Sequence, residues 1–165
     1  MMLDARALIE KHRSKGVLVD TNLLVLYRVG KVNKRRILDF KRTQNYTIED
    51  FELLERLISW FGGIVTTPHV LSQTSDLAVL AGKELKPIRE CFRSVIEGMT
   101  EQFDEGRILV TDACFDRLGL ADAAVATVCL SGRLVLTDDL DLQVTLASRG
   151  ADALNFNHIR PLNWS

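Results

Sequence analysis

The sequence predicts a three-layer α/β fold, in which an open, parallel-stranded sheet of about five strands carries helices on both faces. Short apolar runs alternate with longer segments of helical periodicity, which is typical of parallel strands joined by helical crossovers. Gly and Pro residues mark most of the boundaries between these segments. The chain has 165 residues, of which 47% are hydrophobic and 26% charged. This size and composition predict a single domain over residues 1–165 with one core.

Five strands are expected in chain order. The first contains Val17 to Val19, an uninterrupted apolar run that predicts burial on both faces of the sheet. The remaining four are similarly short and lie next to small or polar residues. The complete set is Gly16–Val19, Gly63–Thr66, Arg107–Val110, Arg133–Leu136 and, with the weakest pattern, Ala153–Phe156.

Helices are expected between these strands. An apolar helical pattern resumes directly after Asp20. Thr47 and Asp50 form a capping-box pattern that begins the next helix, which ends at Gly62. Two further helices have a proline in the first turn and the last two end before a glycine. These four are Pro68 to about Ala81, the segment around Pro87 to about Phe103, Ala121–Leu130 and Asp138–Ser148.

Several classes of protein are disfavoured by what the sequence contains. No apolar stretch approaches the roughly 20 residues of a membrane span, and the first residues lack a secretory signal pattern. The three cysteines, Cys91, Cys114 and Cys129, have no metal-binding spacing and are expected to be reduced thiols. The sequence has no phosphate-binding loop, dinucleotide fingerprint or nucleophile elbow. We therefore expect a cytoplasmic protein with no membrane partner.

Acidic residues follow the predicted strands at corresponding places. Asp20 comes after the first, Asp122 begins the helix after the third, and Asp138 and Asp139 come after the fourth. Since the carboxyl ends of parallel strands share one edge of the sheet, these side chains are expected to meet there. Each could instead cap a helix, a position that Asp favours. Their joint placement favours a shared site, and all-oxygen ligation suits the Mg²⁺ or Mn²⁺ of phosphodiester hydrolysis.

A basic segment follows the first of these acids. Between Arg28 and Arg42 the only acid is Asp39, although the net charge of the chain is −1. Such a cluster either attracts phosphate groups or forms a solvated helix face. We predict a basic helical arm over about residues 30–45, with RNA contacts from Lys34, Arg35 and Arg36.

Four motifs of this chain resemble the PIN-domain nucleases, a family that includes the ribonuclease toxins of bacterial toxin–antitoxin pairs. Their order and spacing cover nearly the whole chain, which makes the set more specific than any one motif. The motifs are Val17–Asn22, Thr66–Leu71, Gly119–Ala124 and Val135–Asp141.

The resemblance implies a PIN-like fold and an Mg²⁺- or Mn²⁺-dependent endoribonuclease. Asp20, Asp122 and Asp139 would be the catalytic metal ligands, with Asp138 as the competitor of Asp139. The supporting residues would be Asn22 and Thr137. The implied partners are RNA, an antitoxin protein and a second copy of this chain.

One position departs from the family pattern. Where the family usually has a Glu after the Thr-Pro motif, this chain has Gln73, which adds no negative charge. Asp76 lies one helical turn further on and is a candidate substitute. Two interpretations stay open: an active nuclease with an altered metal site, or a catalytically degenerate PIN domain that binds RNA or protein.

Overall fold

The computed structural model describes residues 2–160 and confirms the predicted α/β class, with five parallel strands between two layers of helices. The strands are β1 Val17–Val19, β2 Ile64–Thr66, β3 Thr100–Glu101, β4 Leu134–Thr137 and β5 Ala153–Asn155. The α-helices are α1 Met2–His12, α2 Thr21–Val32, α3 Ile48–Trp60, α4 Pro68–Leu77, α5 Leu85–Glu97, α6 Gly106–Leu109, α7 Ala113–Leu118, α8 Leu120–Leu130 and α9 Leu140–Ser148. Short 3₁₀ helices cover Lys34–Leu38, Gly82–Glu84 and Phe156–His158.

The order of the strands determines where the candidate site lies on the sheet. The order is β3-β2-β1-β4-β5, and Val17 of β1 lies opposite Ile64 of β2 and Leu134 of β4. The direction of winding therefore reverses between β1 and β4. Right-handed crossovers then place α2 to α5 on one face and α8 and α9 on the other. In such sheets the crevice at the reversal is the preferred place for a ligand.

The core is built on β1. All three of its residues are fully buried, which confirms the predicted burial on both faces. On one side α2 packs against α3, α4 and α5, and on the other α8 packs against α9. The three cysteines are free thiols, as expected, and two of them are buried.

The predicted strand at Arg107–Val110 is wrong, because this segment is the short helix α6 and its end. Only Leu109 of this run is buried, against Ala123 and Ala124 of α8. The third strand is instead Thr100–Glu101, an exposed edge strand. A four-residue apolar run does not distinguish a strand from a helical turn, and a polar edge strand has no apolar signal to find.

The predicted helices form, but two of them end early. The capping box is confirmed, since the Asp50 N–H donates to Thr47 Oγ1 at 3.1 Å and the Thr47 N–H donates to Asp50 Oδ2 at 2.8 Å. Helix α4 ends at Leu77 and not near Ala81, and α5 ends at Glu97 because Gly98 and the turn into β3 follow. None of the helices in residues 2–160 has the length and apolar character that crossing a bilayer requires.

The basic segment is a helical arm only in part. After α2 ends at Val32, one 3₁₀ helix and a series of turns lead to Thr47, and Ile37 anchors this 33–47 segment in the core. Lys34 pairs with Glu52 of α3 at 2.9 Å. Arg36 pairs with Asp39 at 2.9 Å and with Glu84 at 3.1 Å. The segment is therefore docked onto the domain by two of its three predicted RNA-contacting residues.

Replacing Gly30 by alanine is expected to destabilise the protein, because α2 and α3 touch at this residue. A Cβ atom at Gly30 would lie 2.2 Å from the ring of Phe51, which is only 1% exposed. Overpacking of this kind costs about 1–3 kcal/mol, whereas the gain in helix propensity is only about 0.5–1 kcal/mol. Urea denaturation measures the free energy of unfolding. The control is Gly106→Ala in α6, where a Cβ meets nothing within 4 Å and stability should not fall. Equal stability of the two variants would contradict the assigned packing.

Candidate active site

Asp20 is fixed at the carboxyl end of β1 by its backbone and by both carboxylate oxygens. Its N–H donates to the Leu136 carbonyl at 2.9 Å and so extends the pairing of β1 with β4 by one residue. Oδ1 accepts from the Thr21 N–H at 2.7 Å, and Oδ2 accepts from the Thr137 hydroxyl at 2.7 Å. The side chain therefore caps α2 while standing at the switch point of the sheet.

Thr137 connects Asp20 with Asp139. It is fully buried at the end of β4, and its hydroxyl also accepts from the Asp139 N–H at 3.0 Å. Asp139 caps α9 through a bond from the Leu142 N–H to Oδ1 at 3.1 Å. Thr137 thus joins two acids that lie 119 positions apart in the sequence.

Asp138 is held by side chains from other parts of the chain. Tyr46 Oη donates to Asp138 Oδ2 at 2.5 Å, and Asn22 Nδ2 lies 3.3 Å from Oδ1 and 3.4 Å from Oδ2. Sequence analysis did not single out Tyr46, and no local signal relates it to an acid 92 residues away. Asn22 therefore supports this edge of the sheet through Asp138.

Gln73 and Asp76 lie on α4 and face the same open cleft. The Thr21 hydroxyl donates to Gln73 Oε1 at 2.8 Å, which joins the beginning of α2 to α4. The bond between Thr21 and Gln73, the residue that differs from the family pattern, joins side chains 52 positions apart and therefore depends on the tertiary structure.

Asp122 lies in the first turn of α8 and not at a strand end, because α6 and α7 separate β3 from α8. It nevertheless joins the other acids in a cleft of about 340 Å³. Among the described residues that line this cleft there is no Lys or Arg, and Asp138, Lys34, Arg35 and Arg36 are not among them. The polar lining residues are Asp20, Thr21, Asn22, Gln73, Asp76, Asp122 and Asp139.

The electrostatics of the cleft disfavour the ionised forms of Asp20 and Asp122. Burial, with a further contribution from the charges of Asp20 and Asp139, raises the pKa of Asp122 to about 7. Burial is also the main cause that raises the pKa of Asp20, against the lowering effect of its bonds from Thr137 and Thr21. Within residues 2–160, however, no group of three or more His, Cys, Asp or Glu side chains has the arrangement of a metal site. The cleft gathers the acids without presenting a preformed metal centre.

The metal-free protein is expected to lose stability as the pH rises from about 4 through 7. The pKa of Asp122 in the folded state lies above its unfolded value, so the folded state binds more protons in this range and deprotonation opposes folding. Asp122→Asn should therefore raise the free energy of unfolding at pH 8 by about 1–2 kcal/mol and leave it nearly unchanged at pH 4. Denaturation with a chelator present, at several pH values, measures this difference. The control is Asp141→Asn, because Asp141 is an exposed acid outside the cleft. If the free energy of unfolding depended on pH in the same way for Asp122→Asn and the wild type, the prediction would be contradicted.

Comparisons of the chain with protein-family models, with curated proteins and with solved structures find no match. The resemblance to PIN domains therefore depends on the four motifs and stays a prediction. The fold and the cleft, in contrast, are observed in the structure and do not depend on this resemblance.

Proposed function

We propose that this chain is an Mg²⁺- or Mn²⁺-dependent ribonuclease of PIN type, with Asp20, Asp122 and Asp139 as its catalytic acids. One observation carries the proposal: three acids from distant parts of the chain line one cleft at the point where the strand order reverses. Helix capping alone explains the positions of Asp20 and Asp139, but it does not explain why Asp122 of α8 lines the same cleft.

The side chains of the cleft suit a hard divalent cation. The carboxylate, hydroxyl and amide side chains of the cleft offer oxygen atoms as metal ligands, which Mg²⁺ and Mn²⁺ prefer, and the open cleft leaves room for water. Burial, and after it the charges of Asp20 and Asp139, raise the pKa of Asp122, and a bound cation would oppose these effects by favouring the carboxylate. Since the cleft presents no preformed metal centre among residues 2–160, cation binding is expected to include rotation of the exposed carboxylate of Asp139.

The residues of the chain have distinct tasks in this proposal. Asp20, held on both oxygens, would be the fixed ligand, and Asp122 and Asp139 would complete the acidic set. A bound Mg²⁺ or Mn²⁺ would supply Lewis-acid activation of water and stabilise charge on the phosphodiester. Gln73 accepts from Thr21 through Oε1, which leaves its amide N–H groups to donate to a phosphate oxygen of RNA.

Contacts with RNA outside the cleft are proposed for Lys34, Arg35 and Arg36. Arg35 is exposed and has no ion pair among residues 2–160. Lys34 is paired at the surface, where ion pairs contribute little and can exchange for phosphate groups. An antitoxin partner, a homodimer and a cytoplasmic location remain predictions of the resemblance and of composition.

A catalytically degenerate PIN domain that binds RNA or protein is the second candidate. The observation that favours it is Gln73, a neutral side chain on the cleft where the family has an acid. Asp76 lines the same cleft one turn away and compensates only if it reaches the cation. The two candidates differ in whether the wild-type cleft binds Mn²⁺ at all.

The nuclease proposal predicts cleavage of RNA that requires Mn²⁺ or Mg²⁺ and stops on chelation. Asp20→Asn keeps the size of the side chain but removes its charge, so the rate should fall by at least about 100-fold, or roughly 2.7 kcal/mol of barrier. Labelled single-stranded and structured RNA, followed on gels, provides the assay. Asp141→Asn is the matched control and should cleave like the wild type. Metal-independent cleavage, or equal rates for Asp20→Asn and the wild type, would refute the proposal.

Gln73→Glu is expected to strengthen Mn²⁺ binding about tenfold, because it adds one negative charge to the cleft. A Glu oxygen can still accept from the Thr21 hydroxyl, so the local structure should persist. Calorimetry at pH 8 measures the affinity. Binding in the variant together with none in the wild type would establish the degenerate alternative, and no gain in affinity would show that this position does not face the cation.

A further inference from the structure

Asp138 is anchored from three sides, although it neighbours an acid that faces the cleft. Its carboxylate accepts from Tyr46 Oη at 2.5 Å and lies 3.3–3.4 Å from Asn22 Nδ2. Its backbone carbonyl accepts from Asn157 Nδ2 at 3.0 Å. Asp138 does not line the cleft, whereas Asp139 does.

Tyr46 is itself held rigidly at the end of the 33–47 segment. Its side chain is only 7% exposed, and its ring lies 6.3 Å from that of Phe156. The guanidinium of Arg160 lies over the ring at 4.9 Å. Arg160 in turn donates to both oxygens of Asp50, at 3.0 and 2.7 Å, and to the Asn45 carbonyl at 3.1 Å. The hydroxyl of Tyr46 is therefore a fixed point on the domain.

We propose that Tyr46 is a positioning residue: by holding Asp138, it orients the turn after β4 so that Asp139 presents its carboxylate to the cleft. Asp139 has an extended backbone (φ −86°, ψ 115°), so the direction of its side chain follows from how its neighbour is anchored. The inference rests on the proposed function, since it assigns the cation to Asp139 and not to Asp138. Under this inference the 33–47 segment helps to position Asp139 through Tyr46, a role that differs from binding RNA.

Mn²⁺ affinity, measured by calorimetry on the full chain, tests the inference with conservative variants. Tyr46→Phe removes only the hydroxyl and should weaken binding about fivefold, and Asn22→Ala should weaken it in the same direction. Asp138→Asn keeps an oxygen that accepts from Tyr46 and should lose less affinity than Asp139→Asn, which should lose at least tenfold. The control is Tyr27→Phe, the only other tyrosine, which packs against Phe51 and should change nothing.

A double-mutant cycle separates positioning from general loss of stability. In an Asp138→Ala background Tyr46→Phe should have no further effect on affinity, because the residue through which it acts is gone. Additive effects would overturn the inference. So would an unchanged or stronger affinity in Tyr46→Phe, or a larger loss in Asp138→Asn than in Asp139→Asn.

A measurement without metal distinguishes failure of this inference from failure of the proposed function. The Asp139 N–H donates to Thr137, so its amide NMR resonance reports the orientation of the turn. This resonance should shift in Tyr46→Phe and not in Tyr27→Phe. A wild-type protein that binds no Mn²⁺ would contradict the proposed function, and the amide shift would still decide the role of Tyr46: an unshifted resonance refutes it.

Discussion

The pairing of β1 with β4 is the contact on which the rest of the candidate site depends. These strands are neighbours in the sheet although more than a hundred residues separate them, and the winding of the sheet reverses between them. The Asp20 N–H continues their ladder to Leu136, and the Thr137 hydroxyl joins the Asp20 carboxylate. Because the helices that follow the two strands diverge to opposite faces, a cleft opens directly above this pair.

Capping and functional placement are compatible roles for the acids of this edge. Asp20 and Asp139 each accept from a backbone N–H at the beginning of a helix while facing the cleft. The bond from the Thr21 N–H favours the ionised form of Asp20, whereas burial and the neighbouring charges favour the protonated forms of Asp20 and Asp122. Capping therefore holds the carboxylates in place, and under the proposed function a bound cation would relieve their mutual repulsion.

The basic run between Arg28 and Arg42 shows that a charge pattern does not reveal partners that are remote in sequence. Arg28, at the beginning of the basic run, is buried and donates to the carbonyls of Thr74 and Ile88, with its guanidinium 3.7 Å from the centroid of the Phe92 ring. It ties α2 to α4 and α5. Lys34 pairs with an acid of the next helix. Much of the basic run is thus paired within the domain, and the 33–47 segment carries a tyrosine, Tyr46, that reaches the acidic edge.

The sequence by itself determined the fold class, four of the five strands and the acids of the cleft. Those strands are buried and apolar, so their positions follow from local pattern, and parallel topology brings Asp20 and Asp139 to one edge. The polar edge strand Thr100–Glu101, the bond from Thr21 to Gln73 and the anchoring of Asp138 by Tyr46 were decided only by the tertiary structure. Hydrogen bonds between residues far apart in the chain depend on how the helices pack, and no local periodicity encodes that packing.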